Sequence, residues 1–494
     1  MRQGKVRARS RAVGAMVCVA TSLLAGCVSM DPPYRQPPSP VPERYDAASV
    51  SNGGELGGGG LDAAATDWRD YFTDPHLRAL IAQALEHNRD LRVAAARVAQ
   101  AEAAYGIQRA DLFPSLGGSL GRTRANLPAS ASPLGVPLRV DQYSADVVVS
   151  SWELDFFGRL RALKDAARDT YLASAEAHRA LALSLVAQVA NAYLGLRELD
   201  ERIALAQQTT DSRRESLRIF SRRVEVGATS RLNLTQVQTL LSQAEALVAQ
   251  LRQAREQQAH ALALLVGQPL ELPAATEPLD ERHMLADLAP GLPSDLLTRR
   301  PDIVAAEYQL KAAYANIGAA RAAFFPRVTL TGAYGSVSGE LSGLFDAGTR
   351  GWLFAPSLSV PLFEGGKLRR NLDLSKARRE EAVANYEKTV QGAFRDVADA
   401  LSAHYWLAEQ VRIAQDALDA QSERARLSKL RFDAGSSAFL EVLDAQRDLL
   451  SAQQQLVQVR RALLSSRVSL YAALGGGTRV PPDHPSDADG ASQP

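Results

Sequence analysis

Two long stretches of this chain, residues 158–225 and 366–433, contain no proline and only isolated glycines. A helix over either stretch would be roughly 100 Å long, since each residue adds about 1.5 Å. Helices of ordinary globular domains are far shorter, and most helical stability comes from packing of one face. The chain must therefore fold around extended helices that pack against neighbours along their length.

The two stretches belong to two copies of one sequence pattern. A shift of 212 positions superposes residues 90–114 on 302–326 without a gap, and a shift of 208 superposes residues 158–267 on 366–475. The difference of four residues lies between a Phe-Pro pair and the next helix. Helices of constant length beside a segment of variable length are typical of rigid packing next to a surface loop.

Each copy predicts the same order of elements. A helix of about 35 residues comes first, near 76–112 and 290–324, and the proline of a Phe-Pro pair ends it. Two alternating segments follow, then the long helix, a glycine turn and a returning helix. The glycines at the turns and at the ends of the returning helices are Gly227, Gly435, Gly267 and Gly475.

The returning helices carry apolar residues at heptad spacing. The stripes are Val237, Leu241, Ala244, Val248, Leu251, Leu262 and Leu265 in the first copy and Ala445, Leu449, Ala452, Leu456, Val459 and Leu463 in the second. Plain core packing produces such a stripe too. Both interpretations describe one contact, an antiparallel coiled coil of the long helix and its return with the glycine turn at the tip.

The segments between helices alternate in polarity, most clearly in residues 351–363. One face there carries Trp352, Phe354, Pro356, Leu358, Val360 and Leu362. Roughly ten residues of this period are enough for a tilted strand to cross a membrane, although a soluble sandwich is the alternative. Four strands do not close a barrel, and a bilayer excludes open sheet edges. If the strands meet lipid, several chains must combine them, and three copies would give twelve strands.

The Phe-Pro pairs are interpreted as the points where a helix ends and a strand enters the membrane. They are Phe113 with Pro114 and Phe325 with Pro326. One pair occurs in each copy because the chain would cross out and back twice. The variable segments 126–142 and 336–350 are then extracellular loops.

The N-terminus predicts export and lipidation. A positive n-region precedes a short apolar region that ends in LAGC at 24–27, a pattern that resembles a bacterial lipobox. Residues 1–26 would be removed as a signal peptide, and Cys27 would receive N-acyl and S-diacylglyceryl lipid. An ordinary secretory signal with an incidental cysteine is the alternative. Val28, rather than Asp, follows the cysteine, so the usual sorting rule directs the protein to the outer membrane.

The remaining divisions follow from composition and from the repeats. Residues 27–66 are rich in proline and then glycine, which predicts a tether. The other divisions are repeat 1 at 67–267, a linker or equatorial segment at 268–289, repeat 2 at 290–475 and a flexible C-terminal tail at 476–494. Cys18 leaves with the signal peptide, so the mature chain keeps no thiol for a disulfide, metal or nucleophile.

Composition and motifs argue against other classes of function. The formal net charge is +1 and aromatic residues make up 6%, which gives no indication of nucleic-acid binding. GGSLG at 117–121 fits the nucleophile-elbow pattern, but no helix follows it. EGGK at 364–367 lacks P-loop spacing, and the seven histidines form no metal-ligand pair. No catalysis, metal or cofactor is expected.

Several stretches in this order resemble the outer-membrane factors of tripartite efflux systems, the TolC-like family. They are the two Phe-Pro junctions and residues 68–103, 296–310, 363–370, 431–456 and 471–477. With its lipobox, the chain resembles the lipoprotein branch that works with resistance-nodulation-division pumps. The resemblance implies a mainly α homotrimer with membrane β, in which a twelve-stranded β-barrel continues into a twelve-helix periplasmic α-barrel.

The implied function is the exit duct of multidrug efflux, docked on an inner-membrane pump through a periplasmic adaptor. The runner-up is a periplasmic lipoprotein adaptor, which also carries a long coiled-coil hairpin. That class predicts one hairpin flanked by β domains, whereas this chain predicts two hairpins. A soluble helical scaffold is the third alternative.

The two hairpin tips differ in charge. Asn233, Gln236, Thr239 and Leu240 of the first copy correspond to Glu441, Asp444, Arg447 and Asp448 of the second. Taken alone, such a charge run is usually a solvated helix face. In a closed threefold tube, carboxylates near the axis would raise one another's pKa and attract cations, unless Arg447 neutralised them.

The matching family motif implies a periplasmic gate at these positions. Leu440, Glu441, Asp444 and Arg447 would constrict the lumen, and the adaptor would open it by moving the second coiled coil. Phe432 stands where the family has an aromatic gate residue, commonly Tyr. Adaptor docking is expected at both tips, through Arg223, Val226, Gly227, Ser230, Arg431, Ala434, Gly435 and Ser437.

Overall fold

The computed structural model describes residues 30–42, 61–133, 135–274, 288–289 and 296–477. The predicted signal peptide and Cys27 lie outside these residues. The chain divides into two compact units. Within the described residues, unit 1 contains 30–37, 97–174 and 306–386, and unit 2 contains the others. Each unit combines parts of both copies, so the compact units do not coincide with the sequence repeats.

Apart from α1, the helices and strands of the described chain occur twice in the same order. The helices are α1 Trp68–Tyr71, α2 Pro75–His87, α3 Arg89–Ala110, α4 Arg159–Glu225, α5 Arg231–Val266, α6 Leu296–Arg299, α7 Pro301–Ala322, α8 Lys367–Asp433 and α9 Phe439–Ala473. The strands are β1 Leu61–Asp62, β2 Leu116–Leu127, β3 Leu138–Leu154, β4 Leu288–Ala289, β5 Arg327–Ser338 and β6 Arg350–Ser359. The long helices α4 and α8 have 67 residues each, which confirms the sequence prediction.

The first helix of each copy is interrupted, so the prediction of one continuous helix of that length is wrong. Asn88 leaves the helical conformation between α2 and α3, and its side chain accepts a hydrogen bond from the backbone N–H of Leu91 at 3.0 Å. Arg300 occupies the same place in the second copy, between α6 and α7. Pro301 follows it, and a proline disfavours the helical conformation of the residue before it. An asparagine cap in one copy and a proline in the other make the same break.

The first hairpin consists of α4 and α5. Gly227, with φ of 74°, makes the turn in the left-handed region that glycine tolerates. Ile203 and Ala206 of α4 pack on Val248 and Leu251 of α5 in a buried cluster. Nearer the tip, Phe220 of α4 packs with Val237 of α5. Later residues of α4 therefore meet earlier residues of α5, which confirms the predicted antiparallel pairing.

The second hairpin consists of α8 and α9 and has the same construction. Gly435 makes its turn with φ of 71°. Arg424 of α8 pairs with Asp448 of α9 at 2.7 Å, and farther from the tip Arg460 donates to Gln415 at 3.1 Å. The stripe residues Leu456, Val459 and Leu463 are buried, as the heptad pattern predicts.

The two hairpins also pack against each other within unit 2. Arg461 of α9 donates to Glu198 of α4 at 2.9 Å, and Gln454 of α9 donates to the carbonyl of Arg202 at 3.0 Å. Helix α4 therefore lies between α5 and α9. It is also the helix, among those described, with a stretch long and apolar enough to cross a membrane, and 44% of that stretch is buried. A single helix of this kind, partly buried in the fold, is weak evidence for a membrane span.

The sheet of unit 1 is an antiparallel meander in the order β2-β3-β5-β6. The register runs without a break between β2 and β3, from Leu116 opposite Val149 to Leu127 opposite Leu138. A bulge lies in β3 between Val149 and Trp152. This confirms the four predicted strands and leaves β2 and β6 as edges, each with one side unpaired in the chain.

The register shows which residues share a face, because residues directly opposite each other in a sheet point to the same side. The apolar face carries Leu116, Leu120, Tyr143, Val147, Val149, Leu330, Tyr334, Trp352, Phe354 and Leu358. The small-residue face carries Ser119, Thr123, Ser144, Thr329, Thr331, Ala333, Ala355 and Ser357. Most of these apolar side chains are solvent-exposed in the single chain, with Leu120 at 82% and Trp352 at 78%.

Two boundaries differ from the sequence predictions. Strand β6 ends at Ser359, so Val360 and Leu362 of the predicted face lie beyond it. The partner strand β5 starts only after Pro326, and Pro361 lacks an amide hydrogen, so pairing stops there. The predicted loops 126–142 and 336–350 are also shorter, because β2 and β3 extend into the first and β5 into the second.

The proline-rich start of the predicted tether is docked on unit 1. The Tyr34 hydroxyl donates to Glu307 at 3.1 Å, and Gln36 donates to the hydroxyl of Tyr386 at 3.0 Å. The ring of Tyr34 also meets that of Tyr314 edge to face at 5.5 Å. Residues 30–37 are therefore held by aromatic and hydrogen-bonding side chains that a reading of composition alone does not reveal.

The returning helices begin differently, and the difference gives a test. Ser230 caps α5 by accepting the N–H of Asn233 at 3.3 Å, whereas Ala438 at the start of α9 has no capping side chain. Ser230→Ala should lower the free energy that is needed to open the first turn of α5 by ~1 kcal/mol. Ala438→Ser should raise the corresponding free energy for the first turn of α9 by a similar amount. Hydrogen exchange of 231–234 and 439–442 measures both, with about fivefold rate changes expected.

The two substitutions act as controls for each other, since each alters one tip and leaves the other as in the wild type. Equal protection of both tips in the wild-type protein would contradict a role for the serine cap.

Candidate gate and docking surface at the hairpin tips

The two tips meet in one hydrophobic cluster, which we call the tip cluster. Its buried members are Phe220 of α4, Val237 of α5 and Leu443 of α9. Phe439 lies against it, with its ring 4.2 Å from that of Phe220. The ends of both hairpins are therefore joined by apolar packing within unit 2.

Phe432, the predicted aromatic gate residue, belongs to this packing. Its ring lies 4.9 Å from that of Phe439, and the guanidinium of Arg223 lies 5.7 Å from its centre. Arg223 lies 5.6 Å from the Phe220 ring as well. In the single chain, Phe432 makes a hydrophobic contact between the tips, and the predicted docking residue Arg223 covers its ring.

The acidic side chains of the predicted gate, and the neighbouring Asp448, are all paired with arginines of the same chain. The pairs are Glu441 with Arg431 at 2.7 Å, Asp444 with Arg447 at 3.4 Å, and Asp448 with Arg447 at 3.1 Å and Arg424 at 2.7 Å. The hydrogen bond from Arg424 is the main cause that lowers the pKa of Asp448. Three carboxylates face three guanidiniums, so within one chain this surface is neutral and does not attract cations.

Leu440, the predicted plug, is 47% exposed and lies outside the tip cluster. The neighbouring Asp444 and Arg447 side chains are likewise accessible, at 41% and 60%. An exposed i,i+3 pair of this kind contributes at most about 1 kcal/mol, because water screens it. Both partners can therefore be exchanged for charges on another molecule at little cost.

The predicted docking residues lie around the two glycine turns. Val226 is 76% exposed, and a side chain on Gly227 or Gly435 would meet no atom within 4 Å. Ala434 is exposed as well, while the Ser437 hydroxyl is buried without a hydrogen-bond partner among the described residues. Arg431 is engaged by Glu441, so one predicted docking residue and one predicted gate residue form a single ion pair.

Sequence reasoning missed one charged residue of the tips, Arg213 of α4. It is 3% exposed, and its Nη2 donates to the carbonyl of Leu443 at 3.4 Å. Its Nη1 has no partner among the described residues. Burial, and then the neighbouring charge of Arg447, lower the pKa of the Arg213 guanidinium. The comparison of the two copies could have identified this residue, because the position of α8 that corresponds to Arg213 holds the uncharged Gln421.

The helix-to-strand junctions have the predicted position in the chain. Phe113 and Pro114 lie between α3 and β2, and Phe325 and Pro326 lie between α7 and β5. Phe325 stacks on Phe157 with ring centres 4.8 Å apart, whereas Phe113 is 65% exposed.

Over the described residues, His, Cys, Asp and Glu form no group that could hold a metal ion.

Replacement of Arg213 tests the cost of its buried charge. Arg213→Met keeps the volume and removes an incompletely satisfied cation beside Arg447, so the protein should gain ~1–3 kcal/mol and melt at a higher temperature. Arg214→Met is the matched control, because Arg214 is exposed and binds Glu245 at 2.9 Å. A lower melting temperature for Arg213→Met would contradict the inferred cost of this buried charge.

Comparison with known proteins gives a consistent result. The family model described as outer membrane efflux protein matches the chain twice, over residues 80–268 and 292–476. The solvent efflux pump outer membrane protein SrpC of Pseudomonas putida is 42% identical over 463 residues, which cover 93% of this chain and 97% of SrpC.

Solved structures agree with the fold. A membrane protein from Pseudomonas aeruginosa is similar with a TM-score of 0.83 and 38% identity, over 91% of this chain and 98% of that one. The open state of the Neisseria gonorrhoeae MtrE outer membrane channel is similar with a TM-score of 0.82 and 36% identity, over 91% of this chain and 99% of that one. The names of these relatives describe channels and efflux components rather than enzymes.

Proposed function

Because the chain belongs to the outer membrane efflux protein family, we propose that it forms the outer-membrane exit duct of a tripartite multidrug efflux system. The observation that carries the proposal is a four-stranded sheet with one apolar face, one small-residue face and two unpaired edges. An adaptor lipoprotein is disfavoured, because the chain has two long hairpins and one sheet rather than one hairpin between β domains.

The unpaired edges of the sheet support a homotrimer. In lipid, the free N–H and C=O groups of β2 and β6 have no water to bind, and each unsatisfied group is costly. Pairing β6 of one copy with β2 of the next removes every edge, and three copies of four strands give a barrel of twelve strands. The apolar face then meets lipid, and the small-residue face lines a polar lumen.

The gate proposal rests on the accessibility and weakness of the pairs at the second tip. In one chain Arg447 is shared between Asp444 and Asp448. Around a threefold axis it can turn to the Asp444 of a neighbouring copy, which would close the tube next to the Leu440 side chains, on the side away from the tip. The tip cluster joins this surface to the first hairpin, so an adaptor that moves the second hairpin must also separate apolar contacts.

The partners follow from the family resemblance. A periplasmic adaptor would bind the exposed tips around Gly227 and Gly435, and a resistance-nodulation-division pump would supply the substrates. Cys27 would carry the lipid that anchors the chain to the outer membrane, and the docked residues 30–37 would hold the start of the mature chain against unit 1.

Loss of the gate charges should open the duct. In planar bilayers, Asp444→Ala combined with Arg447→Ala should raise the closed-state single-channel conductance, because the ties between copies are removed. The matched control is Gln236→Ala with Thr239→Ala, the corresponding positions of the first copy, which should conduct as the wild type does. A closed state that conducts no better after loss of Asp444 and Arg447 would remove the gate proposal.

Lipidation is tested by metabolic labelling with palmitate in a Gram-negative host. The wild-type chain should incorporate label and Cys27→Ser should not. Cys18→Ser is the control, because this cysteine leaves with the signal peptide and its loss should not reduce labelling. Label retained in Cys27→Ser, or absent from the wild type, would contradict lipid attachment at Cys27.

A further inference from the structure

A group of arginines stands on the apolar face of the sheet. Arg122 and Arg124 of β2 both donate to the carboxylate of Asp141 on β3, with Arg122 Nη2 at 2.9 Å and Arg124 Nη2 at 2.5 Å. The guanidinium of Arg122 also lies 4.9 Å from the ring centre of Tyr143. Arg139 is opposite Asn126 in the register, which places it on the same face.

The charge of this arginine group is unbalanced. Three guanidiniums are accompanied by one carboxylate, and the carboxylate already serves two of them. The arginine side chains are accessible, with Arg122 at 46% and Arg124 at 70% exposed. Charges on a surface that meets lipid cost most at the bilayer midplane and little near the interfaces, so a cationic group near an interface can be retained and can bind an anion at the same depth.

The position of the group along the strands identifies that depth. The helices of each copy join the sheet at the end marked by Leu116 and Leu154, whereas the arginines lie toward the hairpin loop 128–137. Below them the apolar face continues through Leu120, Val147 and Leu116. The face therefore presents cations at its loop end and hydrocarbon toward its helix end, which is the charge pattern that complements an anionic lipid.

We propose that Arg122, Arg124 and Arg139 bind the phosphate group of a phosphorylated glycolipid in the outer leaflet, with its acyl chains along the adjoining apolar face. The inference rests on the proposed insertion of the sheet in the outer membrane, since the loop end then faces outward. A guanidinium offers two parallel N–H donors that match phosphate oxygens. Asp141 orients Arg122 and Arg124 toward each other and competes with the phosphate for their donors.

Native mass spectrometry of the detergent-purified trimer tests the proposal. The probe is bisphosphorylated hexa-acyl lipid A, compared with the same lipid after phosphatase treatment. Wild-type protein should retain the bisphosphorylated form preferentially, and Arg122→Gln with Arg124→Gln should weaken its binding by roughly tenfold or more, because charge-assisted hydrogen bonds are lost. Asp141→Asn should strengthen binding, since it removes the competing carboxylate.

Arg412→Gln is the control, because Arg412 is an exposed arginine of α8 that binds Glu409 at 2.7 Å and lies in unit 2. It should leave lipid binding unchanged. Equal retention of the two lipid forms, or equal binding by wild type and the double variant, would overturn the proposal. Displacement of lipid A by an equal concentration of inorganic phosphate would also overturn it, because the acyl chains would then contribute nothing.

Channel recordings separate this inference from the proposed function. The trimer mass in the same spectra shows that each variant is assembled, and conductance in planar bilayers shows that it inserts. Trimers that conduct but do not discriminate between the lipid forms contradict the phosphate site alone. A wild-type chain that neither trimerises nor conducts contradicts the exit duct itself.

Discussion

The backbone groups along β2 and β6 impose the constraint on which the rest of the molecule depends. Each edge leaves N–H and C=O groups unpaired within one chain, and a bilayer offers them no water. In the proposed exit duct, closure by further copies would satisfy these groups and at the same time turn the small-residue face inward. The sheet would then be complete only as part of an assembly.

The two hairpins differ from the sheet, because the helices of each hairpin already pack against each other within one chain. Heptad stripes join α4 to α5 and α8 to α9, and Glu198 and Arg461 add a polar contact between hairpins. At the tips, however, apolar packing around Phe220 and Leu443 is combined with an incompletely satisfied Arg213 and with exposed, exchangeable ion pairs. The exposed ion pairs at the tips are the contacts that the proposed gate motion would exchange, and the tip cluster is the apolar packing that it would have to separate.

Sequence comparison of the two copies located the charge difference at the tips, since the positions that correspond to Asp444 and Arg447 in the first copy hold neutral residues. It did not locate the partners of these charges. Arg431 and Arg424 lie on the other helix of the hairpin, α8, and pair with Glu441 and Asp448 of α9. These pairs depend on the register of the two helices in the coiled coil. The sequence did not predict the burial of Arg213 for a related reason. An arginine pair at 213–214 is expected to be solvated, and Arg213 is buried only because the second hairpin packs against it.

The sequence by itself determined the helices, the glycine turns, the four strands and the twofold repeat, because these follow from local backbone preferences and from periodicity. It also carried the family resemblance. Tertiary structure decided which side chains meet across the hairpins and that Tyr34 docks the start of the predicted tether on unit 1. Those outcomes depend on contacts between residues far apart in the chain, whose energies no local pattern of residues encodes.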